Sequence, residues 1–246
     1  MKSSLFVLEQ QVPPPVKVPF RDQFVFRYTE RTIEQALVQK LARVVTGLHS
    51  ARILLNSGFL QEHAAIQRML DEFQQDISFL SYARLFNDVT ALHARYLDAF
   101  YEEEFDDPAS LMESTQKRPS IPRQKIRAYI AQKEAEASDP SRGIELRRTL
   151  SKAYSGFVHG ASPQIMNMYG GNPARFHASG MLGTPHESDH RKDLWNYFYR
   201  GLISFDEVAM VFAHPELIEK VRSFLLAFKK TSSKRYSKRA KAEIGQ

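Results

Sequence analysis

His186, Glu187 and His190 stand in the order H-E-x-x-H. On a helix this spacing puts two imidazoles on one face, where they can hold zinc while the glutamate activates a metal-bound water. A zinc-dependent hydrolase is therefore one reading of the chain. The flanking residues supply another. Thr184-Pro185-His186-Glu187 has the order of a capping box, with threonine at N-cap, proline at N1 and glutamate at N3 reaching back to the N-cap amide. A motif in a first helical turn meets the positive end of the helix dipole, which disfavours a bound cation. Asp189, Arg191 and Lys192 add charge around it. A third ligand would come from elsewhere, and between Glu207 and Glu216 the sequence does not choose. No metal and no cofactor are expected.

A second set of candidates lies at 147–171. Ser155 and His159 are four residues apart and share a helix face, with Arg148 two turns earlier. Histidine at a helix C-terminus is suited to acid–base work near neutral pH. No acid stands at a fixed spacing to orient a serine–histidine pair, so a C-capping histidine beside Gly160 is the plainer reading. A third set, Glu62, Arg68, Glu72 and Asp76, belongs to one helix. Arg68 with Glu72 and Glu72 with Asp76 are i,i+4 neighbours, read either as a surface ladder or as a network that crosses to another helix.

The elements that must carry these residues follow from periodicity. Ile33, Leu37, Leu41, Val44, Leu48, Ala51 and Leu55 recur every three or four residues, which predicts a helix ending at Asn56-Ser57-Gly58. Leu60, Ile66, Leu70, Phe73, Ile77 and Leu80 predict a second helix, antiparallel to the first. Asn87 is read as the N-cap of a third. A charged helix over residues 123–137 comes next, then one capped by residues 138–141 that contains Ser155 and His159. Two last helices start before Leu194 and at Pro215. The prediction is an all-α bundle of six or seven helices on long antiparallel hairpins. It has an extended segment at 1–30, a helical domain at 31–228 and a basic disordered tail at 229–246. Inside the domain fall a flexible excursion at 105–122 and an irregular insert at 160–185, where ARFHASGML can hold a short strand.

Composition bounds the function classes. The 246 residues are 43% hydrophobic and 25% charged, as in globular domains. With no cysteine, thiolate metal sites, disulfides and cysteine nucleophiles are excluded, and a cytoplasmic protein without a membrane partner is expected. The net charge of +6 resides in residues 229–246, so the body is formally neutral. Lys234, Arg235, Lys238 and Arg239 in that tail are candidates for phosphate contacts with nucleic acid. A non-enzymatic interaction module that uses the tail is a further reading.

The run Ala51–Gly58 followed by Glu62, Arg68 and Glu72, together with Ser155-x-x-x-His159, resembles a group of bacterial helical proteins similar to the HEPN superfamily (higher eukaryote and prokaryote nucleotide-binding). The resemblance implies an all-α fold, dimerisation and a defence or toxin-like action on RNA or nucleotide. It implies a centre that gathers Glu62, Arg68, Arg148, Ser155 and His159. The family's nuclease motif, Arg followed after four to six residues by His, is not intact at His159, because Lys152, Ala153 and Tyr154 occupy the arginine's positions. Arg43 and His49 match that spacing within the first long helix.

Overall fold

The computed structural model describes residues 1–105, 111–116, 119–135 and 154–244, with side chains described up to Thr231. It is predominantly helical, with two short hairpins of strands. The chain opens with α1 (Lys2–Glu9), then β1 (Val16–Phe20) and β2 (Gln23–Arg27). The expectation of an extended start is corrected at α1. Met1, Leu5, Leu8 and Val12 recur at helical spacing and pack on the core, with Leu8 fully buried. An eight-residue helix is too short to show its period clearly in the sequence. Phe24 and Phe26 alternate along β2, which pairs antiparallel with β1 so that Val18 opposes Val25.

The centre is built by α2 (Ile33–Asn56), α3 (Leu60–Leu85) and α8 (His186–Val211), each packed on the other two. Thr32 and Gln35 make a reciprocal capping box that fixes the start of α2. Leu37, Leu41, Val44, Leu48 and Leu55 bury one face of it, each removing about 1.5–3 kcal/mol of apolar surface from water. The α2–α3 turn is closed by Gly58, whose φ of +81° is left-handed and whose carbonyl accepts from the Met181 amide at 2.7 Å. A Cβ at Gly58 would come within 2.9 Å of the Met181 and Leu182 backbone nitrogens. Glycine is thus required twice over, by conformation and by the close approach of the insert.

Beyond α3 come α4 (Ala91–Tyr101), a 3-10 turn (Leu111–Glu113) and α5 (Arg123–Glu134). The N-cap of α4 is Thr90, not Asn87. Thr90 caps the Leu92 amide, and the His93 ring accepts from the Thr90 amide at 3.1 Å. Asn87, with φ 49°, takes the left-handed position in the preceding turn, which asparagine tolerates. Residues 154–158 form α6, and Gly160 ends it with φ +61°. The insert then holds α7 (Ser162–Met166) and a hairpin of β3 (Tyr169–Gly170) with β4 (Arg175–Phe176).

The final helix, α9 (Pro215–Ile244), packs along α8 through Leu217 and Val221. Its backbone stays helical to Ile244, where the density of charge pointed to disorder. Lys234, Arg235, Lys238 and Arg239 lie in it, with side chains outside the described ones. Arg148, the cap at 138–141 and parts of the 105–122 excursion also lie outside the described residues. Among the described residues, no helix is long and apolar enough to cross a membrane.

Candidate functional site

One face of α3 carries Gln67, Asp71, Gln74, Gln75 and Ser78 at helical spacing, beside Asp76, and all but Ser78 are buried. Buried polar groups need partners. A helix can offer few to its own mid-length side chains, so all of these but Gln67, whose amide has no hydrogen-bond partner among the described residues, reach across to α2, α5 or α8. Asp76 is held between two cations, Lys40 of α2 at 2.8 Å and Arg123 of α5. Asp71 takes Arg200 of α8 at 2.7 Å and the Gln75 amide at 2.6 Å. Gln75 accepts from both Arg123 and Arg127, at 3.2 and 3.1 Å. Arg68 pairs with Glu72 on α3 itself, at 2.7 Å. The ladder read at 68, 72 and 76 is therefore local at its first rung and crosses between helices at its last.

Four cations of this seam, Lys40, Arg68, Arg123 and Arg200, pair with Asp71, Glu72 and Asp76, a fifth, Arg127, bonds Gln75, and Glu134 and Glu207 stand at its far end. Burial and then the neighbouring Arg123 lower the pKa of Arg127, with Arg68 adding to the effect. For Arg123, burial opposes the charge and Asp76 outweighs it, so its pKa is raised.

At one end of the seam, α3, α5 and α8 enclose a cavity of about 230 Å³. Gln74, Gln75, Ser78, Tyr82, Glu134, Arg200, Ser204 and Glu207 line it. Glu207 accepts from the Ser78 hydroxyl at 2.9 Å, and the Tyr82 hydroxyl reaches Glu134 at 3.2 Å and Glu207 at 3.5 Å. Burial pushes the Glu207 carboxyl up to about 7. Glu134 pushes the same way, while Ser78 and Tyr82 oppose it. A carboxyl with that value is partly protonated at neutral pH and can take or give a proton. It stands near a guanidinium, Arg200, that can hold an anion.

The histidines lie elsewhere. His159 is exposed and its amide donates to the Ser155 carbonyl, an ordinary helical bond. Glu62 is exposed and Arg68 is engaged with Glu72. Among the described residues no hydrogen bond or ion pair joins Glu62, Arg68, Ser155 and His159. Arg43 reaches the Met69 sulfur and His49 faces Arg52, so that pair does not converge either.

In the H-E-x-x-H segment, Glu187 is structural, but it caps one residue earlier than the sequence suggests. Its carboxylate accepts from the Gly183 amide and from Arg191, both at 2.8 Å. Thr184 donates its hydroxyl to the Met181 carbonyl instead of serving as the N-cap, a position taken by Pro185. His186 is exposed. Glu207 is seventeen residues beyond His190 on the same helix, about 25 Å along its axis. Glu216 starts α9 beside the far end of α8, so neither can complete a zinc site with His190. Among the described residues no group of three or more His, Asp or Glu is arranged to hold a metal ion.

His190 instead meets a histidine that sequence reasoning missed. His63 is fully buried, its Nδ1 pairs with the Ala51 carbonyl at 2.9 Å, and its ring lies edge-on to His190 with centroids 5.5 Å apart. The Phe157 ring also lies edge-on to His190, with centroids 5.9 Å apart. Burial, then the neighbouring His63 and His186, bring the His190 pKa down to about 4, and burial also lowers that of His63. The pair stays neutral at physiological pH. The other residues missed were Asp71, Gln74, Gln75, Arg123, Arg127 and Arg200. The helical spacing of 67, 71, 74, 75 and 78 was a usable signal for the α3 members; nothing local marks the arginines.

Comparison with protein families, curated proteins and solved structures returns no match.

Proposed function

We propose that this chain binds or acts on RNA or nucleotide, as the resemblance to HEPN proteins implies, and does so at the α3–α5–α8 seam. The observation that carries the reading is the gathering of Arg68, Arg123, Arg127 and Arg200 along one buried polar face of α3. Guanidinium groups are the side chains best matched to phosphate oxygens. Within the reading, Arg200 and Arg127 take the phosphate, and Glu207, with its pKa near 7, is the proton-transfer group. His159 and Ser155, which lie away from the seam, have no catalytic role in this reading. A cytoplasmic location and self-association through the α2–α3 hairpin belong to the same proposal. Exposed Ile53 and Phe59 near the hairpin tip support self-association there.

Titration with a ribonucleoside triphosphate and with a short RNA, followed by calorimetry and by a cleavage assay, tests the reading. Arg127→Ala should weaken binding on the order of ten-fold while the fold persists. Arg200→Ala should weaken it further, but it also leaves Asp71 without its cation, so the Arg127 variant decides. Unchanged affinity in Arg127→Ala, or no binding by the wild type, overturns the proposal.

A further inference from the structure

The outer side of α8 carries a feature that the seam does not use. Trp195 and Tyr199, one turn apart, stack with centroids 5.9 Å apart and planes at 7°. Phe228 of α9 stacks on Trp195 at 4.5 Å and 12°, and Phe224 continues the series at 6.4 Å and 25°. Four rings from two helices thus form one column of nearly parallel faces. Lys229 sits over Tyr199, 5.2 Å from its centroid. Phe224, at the other end, is 57% exposed. At 100° per residue, Trp195 and Tyr199 point well away from Arg200, Ser204 and Glu207, so the column and the seam are separate surfaces.

We propose that this column is a stacking platform for single-stranded nucleic acid. Bases have the flat π-faces that continue a column of rings, and their phosphates match the charge alongside. That charge is Lys229, over Tyr199, with Lys230 next to it, and the sequence that follows adds Lys234, Arg235, Lys238, Arg239 and Lys241 against one acid, Glu243. Two other occupants fit less well. A second copy of the chain docking symmetrically would bring the same basic segment against itself. A lipid surface needs one continuous apolar face, and the exposed apolar residues of α9 do not share one. Leu226, 70% exposed, is two positions from Phe224 and points to the opposite side of the helix. The inference stands on its own observations and does not depend on the seam binding anything.

Trp195 is the only tryptophan, so its fluorescence reports on the column directly. The test adds single-stranded oligothymidylate of about twelve nucleotides to the full chain. Quenching of Trp195 is expected, with a duplex of the same length quenching less. Phe224→Ala, at an exposed position, should keep the helicity and melting profile of the wild type. It should lose affinity on the order of ten-fold, with an unchanged slope of log affinity against log salt, because every cation remains. Four results overturn the proposal: no quenching; wild-type affinity in Phe224→Ala; a wild-type dimer that Phe224→Ala converts to monomer; or quenching by phosphatidylserine vesicles and not by the oligonucleotide. Arg127→Ala should bind oligothymidylate as the wild type does, which separates this surface from the seam.

Discussion

The seam along α3 and the histidine-bearing end of the bundle are both buried and polar, and they handle charge in opposite ways. At the seam, charges are kept and matched across helices: Asp76 with Lys40 and Arg123, Asp71 with Arg200. At the histidine end, charge is refused. His63 and His190 meet edge to face, and burial lowers the pKa of both. The side chains that looked most like chemistry, Glu187 and His159, have local positions at helix ends: Glu187 caps the Gly183 amide and His159 faces solvent. At mid-helix, Arg68 pairs with Glu72 and Gln75 with Asp71 inside α3, but the buried carboxylates of Asp71 and Asp76 take their cations from other helices. A motif at a helix end is often satisfied by its own turn, whereas a buried carboxylate at mid-helix draws its countercharge from other elements.

The largest effect is expected from removing one charge from the seam. Asp76→Ala leaves Lys40 and Arg123 buried without their shared carboxylate. A loss on the order of 3–5 kcal/mol is expected, read from urea unfolding. A loss below about 1 kcal/mol would mean that water already carries those charges.

Titration separates the two regions by sign. The Glu207 pKa is about 7 in the fold against 4.5 as its ordinary value. Between those values the unfolded chain ionises while the folded chain holds its proton. Stability therefore falls as pH rises through this window, by on the order of 3 kcal/mol in all. Glu207→Gln should abolish that fall, which makes the variant gain on the wild type at pH 8 compared with pH 4.5. Equal pH dependence in the two proteins would show that the carboxyl is ionised in the fold.

The smallest effect belongs to the histidine end and runs the other way. The His190 pKa is about 4 in the fold against an ordinary 6.5, so the unfolded chain takes up a proton that the fold refuses. Stability is lost as pH falls from 6.5 towards 4, on the order of 1 kcal/mol once partial exposure is allowed for. His190→Gln should flatten that limb of the curve and leave the Glu207 limb intact. If both limbs change together, the two regions are coupled.

Much of the scaffold was legible because its long helices announce themselves by period. The start of α2 at Thr32, the turn at Gly58, α3, the termination at Gly160 and the start of α9 at Pro215 all follow from caps, breakers and apolar spacing. The misses have local causes. Helix α1 has too few residues to display a pattern, and Asn87 and Thr90 both carry a capping side chain, with His93 making Thr90 the winner. For the candidate site, the i,i+4 relation of Arg68 and Glu72 was readable, as was the presence of Asp76 on the same helix.

By itself, the sequence determined that this chain is predominantly helical, which faces of its helices are apolar and where the long ones begin and end. Those properties depend on residues a few positions apart. It also fixed the concentration of positive charge in its last eighteen residues, 229–246. Only the tertiary structure decided that Asp76 meets Lys40 and Arg123, that Glu207 is closed in with Ser78 and Tyr82, and that Trp195 stacks on Phe228. Such meetings span tens to more than a hundred positions of chain. They are set by the packing of whole helices, and a side chain's burial, and with it its charge state, exists only once that packing is complete.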